Sequence, residues 1–177
     1  MLNLNKFAEE VHDNSVRHGW WDTDRDFAEI CALIHSEWSE ALEEARANRD
    51  MVWTGENGKP EGIAVELIDG VIRILDWIGK ERVEIFPVTI NSIMEIWSKE
   101  RKDKLSEATL PQVVARLHYY TSNAYSESSN QDRGDYLIAA MQTVFFWLDS
   151  KGVDVESVLI TKHEFNKMRP YKHGKKF

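Results

Sequence analysis

Apolar residues recur at spacings of three and four along most of this chain, and that period predicts helices almost throughout. Leu4, Phe7 and Val11 outline a first amphipathic helix over about residues 3–18, with Gly19 where helices commonly stop. Phe27, Ile30 and Ile34 enter the buried side of a second helix, for which Asp24 is the expected N-cap. A third run, Ile63 to Ile78, is apolar almost all round, with Leu67, Ile68, Val71, Ile74 and Leu75 covering most directions. That is the pattern of a central buried helix. Between the second and third runs, Gly55, Gly58 and Pro60 break regular structure over about a dozen residues, where Lys59 reads by default as a solvated loop lysine, with phosphate contact as the alternative.

Further on, Pro87 and Thr89 introduce a helix whose apolar positions Ile90, Ile93, Met94 and Trp97 run down to about Leu105. Another starts near Thr109-Leu-Pro111, where proline fits the first turn. Arg82-Val-Glu-Ile-Phe86 is the one short strand-like run. The whole predicts an all-α helical bundle in one domain, residues 1–177, with the acidic helices in 1–80 and a second hairpin and basic end in 89–177. The second hairpin faintly echoes the first: Ile34 to Glu44 aligns with Leu117 to Glu127, so that His35, Ser39, Ala41 and Glu44 recur as His118, Ser122, Ala124 and Glu127. Gly134 to Asp149 likewise resembles the buried helix without its acids. Two fused hairpins are therefore expected, the first catalytic and the second a degenerate scaffold that closes the pocket.

Polar positions add a site to this bundle. Glu37, Glu40 and Glu44 share one helix face with Ile30 and Leu33, while His35, Ser39, Glu43 and Arg46 take the opposite, solvent-facing side. On the buried helix the polar stripe is Glu66, Asp69, Arg73 and Asp76. Ionised carboxylates in such surroundings cost on the order of several kcal/mol each unless they are paired or bind a cation. Either arginine or metal must answer them. Arg73, four residues after Asp69, is placed to neutralise one acid, and hard divalent cations suit the remainder, because Mg²⁺ and Mn²⁺ prefer carboxylate oxygens and Mg²⁺ commonly shares its shell with phosphates. A phosphate-handling metal site follows.

Composition narrows the partners. A hydrophobic content of 42% with seven Trp belongs to a folded protein, and the net charge of -8 argues against a general DNA, RNA or membrane-surface binder. Cys31 is the sole cysteine, so an internal disulfide is excluded and the residue reads as core filler in a cytoplasmic protein. No run approaches the roughly 20 apolar residues of a membrane span, and Met-Leu-Asn-Leu-Asn-Lys at the start lacks the apolar core of a signal peptide. In His18-Gly-Trp-Trp-Asp22, Trp20 or Trp21 is a candidate to stack a base. The end of the chain gathers Lys162, Lys167, Arg169, Lys172, Lys175 and Lys176 against one acid, Glu164. Pro170 and Gly174 there suggest turns, and Tyr171 and Phe177 suggest anchors. Lys162, Asn166 and Arg169 share a helical face suited to clamping a polyphosphate.

Taken together, the Glu37/Glu40 and Glu66/Asp69 motifs, the His-Gly-Trp-Trp-Asp entry and the ending Asn166-Lys-Met-Arg-Pro-Tyr-Lys-His-Gly-Lys-Lys resemble the MazG-like branch of the all-α nucleoside triphosphate pyrophosphohydrolases. The resemblance implies Mg²⁺-dependent cleavage (with Mn²⁺ as a substitute) of a nucleoside triphosphate between the α and β phosphates, giving monophosphate and pyrophosphate. It implies Glu37, Glu40, Glu66 and Asp69 as metal ligands and Lys162, Asn166, Arg169 and Lys175 as substrate contacts. Many members carry a further Glu just before the first motif acid, where this chain has Ser36, so either Glu40 or Glu44 is left to activate water. The doubled hairpin is also similar to that of the dimeric all-α dUTPases and dCTPases, which implies a homodimer, with a tetramer as the alternative. Two competing functions are a non-catalytic nucleotide- or metal-binding regulatory module and a helical interaction protein.

Overall fold

In the computed structural model, which describes residues 2–174, the third apolar run becomes α3 (Ile63–Glu81), a helix buried on nearly every face. Four helices close round it: α1 (Leu4–Arg17), α2 (Phe27–Arg46), α7 (Asn130–Ser150) and α8 (Val155–Lys167). Helix α6 (Leu110–Ser126) lies against α2 and α7, so that α2, α3, α6 and α7 form a four-helix bundle with α1 and α8 packed on α3. Short α4 (Ile90–Ile96) and α5 (Lys99–Ser106) connect the two hairpins and rest on α7. The fold is all-α, and no helix among the described residues is long and apolar enough to cross a membrane.

Backbone approach to α3 is unusually close at two glycines. A Cβ built on Gly70 would lie 2.3 Å from the Trp38 ring of α2, and one on Gly79 would lie 2.4 Å from the Ala8 carbonyl oxygen of α1. Trp38 is fully buried and its indole N–H donates to Thr121 Oγ1 of α6 at 3.1 Å, so the ring has nowhere to retreat. Gly70→Ala is expected to cost about 1–3 kcal/mol through overpacking. A drop in the urea midpoint at unchanged slope would register it.

The two hairpins meet through echoed positions. His35 Nδ1 and His118 Nδ1 lie 2.7 Å apart with stacked rings, and the second link is the Trp38–Thr121 hydrogen bond. Both pairs are 83 residues apart, the offset of the echo. His35 is therefore half-buried against α6 rather than solvent-facing as its helix position suggests, and burial together with the His118 charge holds its pKa below the usual value.

Several local expectations give way to better caps. Helix α2 begins after Asp26, not Asp24, because the Asp26 backbone is extended and its carboxylate accepts from the Ala28 N–H. The helix expected to reach Leu105 breaks at Trp97, where Ser98 takes an extended conformation and caps α5 through the Arg101 N–H. Arg82 to Phe86 forms no strand. The short strands are instead β1 (Trp53–Thr54) and β2 (Pro60–Glu61), antiparallel within the connection between α2 and α3. Gly19, at φ +78°, does end α1, and Pro111 sits in the first turn of α6 with Thr109 and Gln112 as its capping pair.

Candidate active site

A cavity of about 530 Å³ opens between α1, α2, α3 and α8 and is also lined by Lys59 of the β1–β2 turn. Its acidic wall comes from α2 and α3. Glu37 and Glu66, both buried, and the exposed Glu40 bring carboxylate oxygens within 4.8 Å of one another. The apolar periodicity that buries Ile30, Ile34 and Trp38 also carries Glu37 inward, and the all-round burial of α3 does the same for Glu66. Glu66 stands in the first turn of α3, where the helix dipole favours negative charge.

Each acid has a different answer. Glu37 Oε1 accepts from Arg73 Nε and Nη2, both at 2.6 Å, an interhelical pair in place of the expected contact between Arg73 and Asp69. Asp69 pairs instead with Lys162 Nζ of α8 at 2.8 Å, and that lysine is 1% exposed. Glu40 Oε1 accepts from Ser36 Oγ at 2.7 Å, so the serine orients the exposed acid. Glu66 has no cation at ion-pair distance among the described residues. Burial first, and then the neighbouring Asp69, Glu37 and Glu40 charges, push its pKa up to about 8 against the opposing pull of Lys162. Burial likewise raises Glu37, with Arg73 opposing it.

Cationic groups face these acids. Arg169 and Lys162 of the α8 segment line the cavity, as does Lys59 from the β1–β2 turn. Lys59 is thus not simply a solvated loop residue. Burial disfavours its charge, but pairing with Glu61 at 2.8 Å and the fields of Glu66 and Asp69 hold its pKa above the usual value. Asn166 and Trp20 also line the cavity, with Arg25 5.8 Å from the Trp20 ring.

Two predicted residues stand elsewhere. Trp21 directs its indole N–H at Asp76, 2.9 Å from Oδ1, and the same oxygen is 2.8 Å from His12 Nδ1; this fixes the entry to α2. Glu44 Oε2 accepts from Trp53 Nε1 at 2.9 Å, tying α2 to the ribbon outside the cavity wall. Lys175 and Phe177 lie outside the described residues. The segment before them is anchored as expected: the Tyr171 hydroxyl bonds to Asp22, its ring covers Gly19, and the Lys172 N–H donates to the His18 carbonyl at 2.9 Å.

Three clustered carboxylates make an oxygen-donor set of the kind hard divalent cations take, and a buried acid with a raised pKa and no paired cation is the position most relieved by one. Compared with protein-family models, curated proteins and solved structures, the chain has no match.

Proposed function

We propose that this protein hydrolyses a nucleoside triphosphate between the α and β phosphates in a reaction dependent on Mg²⁺ or Mn²⁺. The observation that carries this reading is the Glu37–Glu40–Glu66 cluster facing Lys162, Arg169 and Lys59 across one cavity. Oxygen donors for a hard cation and cationic donors for phosphate are the two things such a substrate needs. The resemblance named above points the same way.

A divalent cation held by Glu37, Glu40 and Glu66 would polarise the phosphoryl oxygens and offset charge on the departing pyrophosphate. The chain's own residues do the rest. Arg73 holds Glu37 in position and opposes the burial that disfavours its charge. Lys162 fixes Asp69 beside the cluster, and Arg169 and Lys59 draw in the far phosphates. Glu40, oriented by Ser36, takes the proton of the attacking water, whereas Glu44 is engaged with Trp53. The water oxygen bonds to the α-phosphorus, the bond to the bridging oxygen breaks, and its electron pair leaves with pyrophosphate. The setting is the cytoplasm, where nucleotides are made, and a homodimer is the assembly that the resemblance suggests.

The test is turnover of a panel of nucleoside triphosphates with Mg²⁺, Mn²⁺ or chelator. Metal-dependent release of pyrophosphate and monophosphate from at least one nucleotide is expected. Nucleotide binding without turnover under either metal would leave a regulatory binding module instead.

A further inference from the structure

The cavity has a second wall that the phosphate chemistry does not use. It is formed by Val11, Asn14 and Ser15 of α1 and by His163 and Asn166 of α8. His163 is 1% exposed and Asn166 8%, yet neither His163 ring nitrogen nor Asn166 Oδ1 has a hydrogen-bond partner among the described residues. Leaving such buried atoms unmade costs on the order of 1–3 kcal/mol each, so chains seldom keep them without a use. The His163 ring packs edge-on against Phe7, with ring centroids 5.0 Å apart.

A phosphate can accept from one His163 nitrogen but cannot satisfy the other, nor Asn166 Oδ1, because both of those need a donor. Burial above all, with the Lys167 and Arg17 charges adding to it, lowers the His163 pKa to about 4. At neutral pH the ring is therefore uncharged, with one donor nitrogen and one acceptor. Asn166 Oδ1 is an acceptor, and a fully ionised polyphosphate brings no proton to it. What satisfies an acceptor oxygen and a neutral imidazole together is an uncharged group carrying N–H or O–H donors beside acceptors.

We infer that His163 and Asn166, facing Asn14 and Ser15, hold the nucleoside half of the substrate, and that His163 is a specificity-determining residue. The inference rests on the nucleotide reading above for what occupies the acidic wall. Base and sugar share the required donor chemistry, so the test varies each.

The experiment measures dissociation constants, with Mg²⁺ present, for α,β-methylene nucleoside triphosphates carrying four bases on ribose and on deoxyribose, and for inorganic triphosphate. Wild type is compared with His163→Ala and His163→Asn. For His163→Ala, affinity for the preferred nucleotide is expected to fall ~10-fold or more and the ranking to flatten, while inorganic triphosphate stays within about two-fold. His163→Asn, which keeps a donor and an acceptor, is expected to recover part of the loss. Whether the base series or the sugar series flattens identifies the group read. An unchanged nucleotide ranking in His163→Ala, or equal losses for nucleotides and inorganic triphosphate, would overturn the inference. Nucleotide discrimination lost in His163→Ala, in a protein that releases no pyrophosphate, would support the inference while refuting the hydrolytic reading; absence of nucleotide binding by wild type would overturn both.

Discussion

Glu66→Gln is expected to lower kcat by roughly a hundred- to a thousand-fold, and at the same time to make the metal-free protein more stable at alkaline pH. The two effects have one cause. In the folded chain the Glu66 carboxyl holds its proton up to about pH 8, whereas the unfolded chain releases it near the ordinary 4.5. Between those values the native state binds more protons than the unfolded state, so stability falls as pH rises through this window. The full loss is on the order of a few kcal/mol. Glutamine has the same shape and no charge, so the decline with pH should shrink or vanish. Thermal unfolding in chelator from pH 5 to 9 tests it. Adding Mg²⁺ should restore wild type at high pH, because a cation binds the ionised carboxylate, and should do little for the variant.

Lys162→Met should be the most destabilising single change at the site. Lys162 is 1% exposed and its ammonium is 2.8 Å from Asp69, so removing it leaves a carboxylate among Glu66 and Glu37 with its paired cation gone. Breaking such a pair costs about 3–5 kcal/mol. Adding Asp69→Asn should return a large part of that loss, because the remaining repulsion disappears with the charge. A double-mutant cycle from urea unfolding gives the coupling. Additive losses would mean that the lysine contributes mainly through packing of its alkyl stem.

Much of this arrangement is legible in the chain itself, and the unread part has a common cause. Periodicity finds the helices, and it also finds the acids: Glu37 and Glu66 are inward because Ile34, Trp38, Val65 and Leu67 are. Choice of partner is another matter. Arg73 is four residues from Asp69 yet serves Glu37 on another helix, because Lys162, 93 positions later, already holds Asp69. Only the packing of α8 on α3 decides that. Asp24 is the acid the sequence points to as the cap of α2, but the turn leading into Phe27 puts Asp26 there instead. His163 carries no signal at all in the sequence, since an isolated histidine in a polar helix says nothing about what surrounds it. Its importance arises from Phe7, which packs against it, and from the cavity that it lines.

The most direct measurement is turnover in ¹⁸O-labelled water with Mn²⁺ or Mg²⁺, followed by mass analysis of both products. Attack at the α-phosphorus beside the Glu37–Glu40–Glu66 cluster puts the label in the monophosphate and leaves the pyrophosphate unlabelled. Label in pyrophosphate or in inorganic phosphate, or no metal-dependent turnover of any nucleotide, would contradict that assignment.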